Sequence, residues 1–78
     1  MTLIQNIKSK TFRKAIGIEF ARLRRERNQE IEKVAAAVNA YPETVDRLEL
    51  GYYTAYGLTA RLLKYYNKDI KIELVDRQ

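Results

Sequence analysis

Residues 34–51, VAAAVNAYPETVDRLELG, restrict the fold of this chain more than any other stretch. Ala35, Ala36 and Ala37 shrink the surface of one helix, Asn39 ends it, and Pro42 pre-sets φ for the first turn of another. Two short helices must then meet at a sharp angle. In the second, from about residue 42 to 50, Val45 and Leu48 share one stripe, whereas Glu43, Asp46, Arg47 and Leu50 fall on the other. Gly51 supplies a left-handed terminator. The pattern predicts a helix-turn-helix whose outer helix is offered to solvent or to a partner.

Around this unit the periodicity predicts further helices. From Thr11, a good N-cap, the residues Phe12, Ile16, Phe20 and Leu23 recur every three or four positions, so a helix should run to about Glu26. Gly17 inside it is a mild cost that permits close packing. Arg24 lies four residues past Phe20, at the edge of the apolar face, whereas Arg22 and Arg25 point outward. Asn28 reads as the cap of the next helix, in which Ile31, Val34, Ala35 and Val38 line one face. After Gly51, the run YYTAYG at 52–57 reads as a packed loop, and Leu58, Leu62, Leu63 and Tyr66 as the inner face of a fourth major helix. Asn67, Lys68 and Asp69 close it. Residues 70–75 then change to period two, with Ile70, Ile72 and Leu74 on one face. A lone strand must find a partner, and the cheapest is the same strand of a second copy.

At 34–51 the chain resembles the Cro/C1-type (XRE) helix-turn-helix family. Val34 and Ala35, the Asn39–Ala40 turn, Val45, Leu48, Glu49 and Gly51 fall on the family pattern without a gap, and the likeness extends upstream to Phe20, Leu23 and Arg24 and more loosely downstream to about Leu74. The resemblance implies a mainly α fold: a small Cro/C1-like helix-turn-helix bundle of four to five helices, with a C-terminal β-strand pairing in a dimer. It also implies a structural ion pair between Arg24 and Glu49. The organisation expected is a basic arm or short helix at 1–10, carrying Leu3, Ile4 and Ile7, a helical domain at 11–67, and a strand and tail at 68–78.

Composition narrows the function. With no cysteine and no histidine, the chain offers no disulfide framework and lacks the commonest zinc ligands, so neither metal nor cofactor is expected. No apolar run approaches the length of a membrane span, and the start, MTLIQNIKSK, is too polar for a leader, so a soluble cytoplasmic protein is expected. Glu43, Asp46 and Glu49 form the only close carboxylate set, and an acidic helix face is usually just solvated; catalysis is not expected. A domain this small, without a covalent staple, gains from dimerising. The charge of +5 is uneven: within 1–27, eight basic residues stand against Glu19 and Glu26, a local +6. Such a field suits phosphate backbones or an acidic protein surface.

These features predict a sequence-specific binder of double-stranded DNA, a small transcriptional regulator (repressor) acting as a homodimer through Ile70, Ile72 and Leu74. Pro42, Glu43, Asp46 and Arg47 would face the major groove with Thr44 at the edge; Arg47 suits guanine, and Glu43 or Asp46 suits cytosine N4. Lys8, Lys10, Arg13, Arg22, Arg25 and Arg27 would carry phosphate affinity, and the hydroxyls of Tyr52 and Tyr53 could donate to phosphate or pack. The reading stripe is net negative, which phosphates oppose. Three departures from the family pattern accompany this: Ile31 stands where many members place a phosphate-binding Gln, Tyr41 stands where Ser or Thr usually caps the second helix, and the following loop, often basic, holds Tyr52, Tyr53 and Tyr56. They favour an alternative, in which the helix-turn-helix is a protein-interaction module, as in an antitoxin or a phage or plasmid accessory factor.

Overall fold

The computed structural model describes residues 10–52 and 55–70, and four helices occupy most of them. They are α1 (Lys10–Glu26), α2 (Ile31–Ala37), α3 (Pro42–Glu49) and α4 (Tyr56–Tyr66). Their apolar stripes meet in one core of Phe20, Leu23, Val34, Ala35, Val38, Val45, Leu48, Leu58, Leu62 and Tyr66, with Ile16, Ile31 and Leu63 packed at its margin. The result is a small, compact, mainly helical domain.

Each helix stops in the same way. Asn28, Asn39, Gly51 and Asn67 all have φ between 53° and 83°, the left-handed conformation that only Gly, and after it Asn, adopts at low cost. Beyond each, an amide reaches back five residues: Gln29 to the Arg24 carbonyl, Ala40 to Ala35, Tyr52 to Arg47 and Lys68 to Leu63. These paired bonds satisfy carbonyls that a helix end otherwise leaves open. Asn28 therefore ends α1 and does not cap α2, whose N-cap is Glu30. The two roles compete for the same residue type, and the four-residue link after α1 leaves Asn28 too far from Ile31 to cap it.

Other expectations are also modified. Of the three alanines in α2 only Ala35 is buried, because successive helical residues point about 100° apart. Tyr56 and Gly57 belong to the first turn of α4, where the amides need no intrahelical partner and glycine costs little. The C-terminal strand expected over 70–75 is not supported: no strand occurs among the described residues, Ile70 is in coil, and 71–78 lie outside them. Within one chain a single extended segment has no ladder to join. The arm at 1–9, with Lys8, also lies outside the described residues, as do Tyr53 and Thr54.

The α1–α3 crossing fixes the orientation of α3. A Cβ at Gly17 would stand 2.5 Å from the carbonyl oxygens of both Leu48 and Glu49, so the α1 backbone lies directly against the end of α3. Gly51 makes a similar approach, its missing Cβ 3.1 Å from Lys14 Cα.

Candidate functional site

The end of α3 is tied to α1 by one polar contact. Arg24 donates through Nε to Glu49 Oε2 at 2.9 Å and through Nη2 to Oε1 at 3.0 Å, a bidentate pair whose side chains are 16% and 6% exposed. The third arm of the guanidinium, Nη1, donates to the Gln29 carbonyl at 3.1 Å, so one side chain joins α1, α3 and the loop before α2. The hydrogen bond to Glu49 holds Arg24 above the ordinary arginine pKa, against the opposing effect of burial.

Held at its C-terminal end, α3 presents its other face. Glu43, Asp46 and Arg47 are exposed and Pro42 and Thr44 half-buried, while Val45, Leu48 and Glu49 turn inward. The structure thus brings the five expected groove-facing residues onto one accessible helix. Its N-cap residue, Tyr41, makes no side-chain cap, and neither does Glu30 before α2. Both helices instead carry an acid in the first turn, Glu43 and Glu32, which favours the helix dipole and opposes any incoming phosphate.

The basic residues divide. Arg22 donates to Glu19 Oε2 and to Glu26 Oε1, each at 2.6 Å, so its charge is more than matched on the α1 surface. Arg27 is drawn to the end of α4: Nη2 donates to the Tyr66 carbonyl at 2.8 Å, and the guanidinium lies 5.1 Å from the centroid of the Tyr66 ring. The role of Arg27 was not visible in the sequence, since the Tyr66 contact depends on where α4 ends, whereas the Arg22 pairs are local ones, three and four residues away on α1. Lys10, Lys14 and Arg25 are exposed and Arg13 is half-buried; Lys14 lies against Gly51, which places the basic start of α1 beside the turn after α3.

The tyrosines divide as well. Tyr66 is fully buried, stacked on Phe20 with centroids 5.9 Å apart and edge-on to Tyr65 at 5.0 Å. Burial pushes its hydroxyl pKa up to about 12, and the hydroxyl has no hydrogen-bond partner among the described residues. By contrast Tyr41, Tyr52 and Tyr56 are 76%, 73% and 72% exposed. Tyr41 and Tyr52 lie at the two ends of α3 and Tyr56 at the start of α4, aromatic surface that periodicity alone did not assign.

Among the described residues no helix is long and apolar enough to cross a membrane. Comparison with protein-family models, with curated proteins and with solved structures finds no match.

Proposed function

We propose that the chain is a small sequence-specific DNA-binding protein of the helix-turn-helix kind, acting as a homodimer to regulate transcription by occupying an operator. The observation that carries this reading is the Arg24–Glu49 pair, which clamps the back of α3 while Glu43, Asp46 and Arg47 stay exposed. A recognition helix needs that combination of a fixed axis and a free face, because base edges are read by side chains from its N-terminal half. In the Cro/C1-type family that residues 34–51 resemble, the matching Arg and Glu are paired. Arg47 would read guanine, and Glu43 or Asp46 cytosine N4. Phosphate affinity would come from Lys10, Lys14 and Arg25 on the described helix, with Lys8 in the arm and Arg13 beside them; Arg22 and Arg27 are engaged internally. Period-two pairing of 70–75 between copies would supply the dimer.

A second reading is favoured by the acidic face of α3 and the exposed Tyr41 and Tyr52: a protein-interaction module that receives a basic partner. Titration against genomic DNA fragments at several salt concentrations separates the two. On the regulator reading Arg47→Ala lowers discrimination between sites by roughly 1–3 kcal/mol, and Arg25→Ala weakens all sequences alike and flattens the salt slope. Absence of binding to any duplex at low salt, both for the wild type and for Glu43→Gln with Asp46→Asn, rejects the regulator and leaves the interaction module.

A further inference from the structure

Arg61, on the exposed side of α4, is anchored without being neutralised. Its Nε donates to the Val38 carbonyl at 2.8 Å, just past the last turn of α2, where helix geometry leaves carbonyls open. Its Nη1 stands 3.3 Å from the place that a Cβ of Gly57 would take. The guanidinium thus reaches from the end of α2 to the first turn of α4. A carbonyl fixes a side chain but leaves its charge whole, whereas Arg22 and Arg24 are each matched by carboxylates. Among the described residues no carboxylate meets Arg61, and its Nη1 and Nη2 have no hydrogen-bond partner. Beside it opens a hollow of about 320 Å³, shared with Asn39, Tyr41, Thr44, Ala55 and Leu58, and no acid lines it among the described residues. We propose that this hollow is an oxyanion site, in which the Nη fork of Arg61 receives two oxygens of one phosphate ester.

The chemistry of the lining selects the anion. An arginine fork matches phosphate and carboxylate bidentately. A phosphate carries further oxygens, and the Asn39 amide and the Thr44 hydroxyl supply neutral donors in the same hollow. Because the Val38 bond already holds the guanidinium, less side-chain freedom is lost when an anion arrives. Position selects the source. Tyr41 and Thr44 belong to the start of α3, so an anion held here lies beside the N-terminal half of that helix. This step rests on the DNA-binding reading above: a helix laid in the major groove has backbone phosphates at its flanks, and one of them would occupy the hollow. Arg61 would then offset, from the α4 side, the repulsion that Glu43 and Asp46 exert on the duplex. Residue 61 lies outside the basic 1–27 segment, and its anchoring carbonyl comes from another helix, so no sequence pattern marks it.

Two measurements test the site and separate it from the reading it rests on. The first is duplex binding over a salt series. Arg61→Gln, with unchanged helical circular dichroism, should weaken all sequences alike by about tenfold and lower the salt slope by about one, the mark of one lost phosphate contact. Arg61→Lys keeps the charge but not the fork, so it should restore the slope and not the affinity. Wild-type affinity and slope in Arg61→Gln would overturn the proposal and leave the regulator standing. The second uses the wild type alone. It is titrated with inorganic phosphate, and with chloride at equal ionic strength as the control, while the Arg61 Nε–H and Asn39 side-chain amide resonances are followed by NMR. Saturable shifts with phosphate and not with chloride are expected. Such shifts without binding to any duplex would uphold the oxyanion site, reject the DNA backbone as its source and count against the regulator. No saturable shift with phosphate would overturn the site.

Discussion

Replacing Gly17 by Ala sets two effects of known size against each other. In an isolated helix the change should stabilise by about 0.8–1.0 kcal/mol, since Ala loses less backbone entropy than Gly. Here the new Cβ would lie 2.5 Å from the Leu48 and Glu49 carbonyl oxygens and 2.9 Å from the Glu49 carbonyl carbon. Carbon–oxygen contacts settle at about 3.3–3.6 Å, so the methyl is about 1 Å too close. The obstacle is backbone on both sides, and no rotamer relieves it. Overpacking of this kind costs typically 1–3 kcal/mol, and with two oxygens met at once the upper end applies.

Subtracting the propensity gain leaves a net loss of about 2 kcal/mol, which lowers Tm by about 8–16 °C in a domain of this size. Gly57→Ala is the matched control: its Cβ would meet only Arg61 Nη1, at 3.3 Å, the end of a flexible side chain. That variant should be neutral or gain up to about 1 kcal/mol. Urea and thermal unfolding followed by circular dichroism measure both. If Gly17→Ala is as stable as the wild type, α1 and α3 do not cross with their backbones in contact, and the orientation assigned to α3 is wrong.

The ion pair should show strong, asymmetric coupling. Arg24→Ala, which strands a carboxylate only 6% exposed, should cost about 3–5 kcal/mol, and Glu49→Ala somewhat less because Arg24 keeps the Gln29 carbonyl and some solvent; a double-mutant cycle with additive losses would refute the pairing. Tyr66 should make the fold alkali-sensitive. Its pKa of about 12 when folded exceeds the unfolded value near 10, so its contribution is intact below pH 10 and is lost as pH rises toward 12, by about 2–3 kcal/mol in all. Tyr66→Phe should abolish that slope and leave neutral-pH stability unchanged or slightly higher, since an unpartnered hydroxyl is removed; an unchanged alkaline slope counts against this assignment. Tyr41→Ser should raise Tm, because the exposed ring contributes little burial while Ser caps α3 for about 1 kcal/mol; a fall in Tm would mean the ring is held by something else.

What sequence patterning reveals here is local. Helix faces were legible because periodicity of 3.6 needs only neighbouring residues, and Asn39, Gly51 and Asn67 were legible as stops because left-handed residues are chemically restricted. Asn28 was not, since Asn serves equally at the start and the end of a helix and only the carbonyls of Arg24 and Arg25 decide between them. The need for glycine at 17 comes from carbonyls at 48 and 49, brought near by the fold. Arg24, at the edge of the apolar face of α1, was expected to meet Glu49 and does, whereas nothing local to Arg27, just past the end of α1, points to the α4 carbonyl that it meets. Long-range partners set the role of a side chain whose type alone is ambiguous.

The same distinction changes the meaning of the charge. The formal +6 of residues 1–27 already subtracts Glu19 and Glu26, which bracket Arg22, but it still counts Arg24, whose charge is cancelled by Glu49. Paired charges produce little field beyond a Debye length of about 8 Å, so the second half of α1 presents far less positive potential than its arginines suggest. What remains is Lys10 and Lys14 at the start of the helix, the second of them against Gly51, and Arg25 near its end. The domain therefore has a basic end and, on α3, an acidic helix, and the two candidate partners would use them differently. A duplex is attracted by the first and repelled by the second, so neutralising Glu43 and Asp46 should tighten DNA binding even as it erases cytosine readout. A basic protein is attracted by the second, and the same substitutions should weaken it. One double variant thus moves the two affinities in opposite directions, which makes the acidic stripe of α3, and not the total charge, the feature that separates the functions.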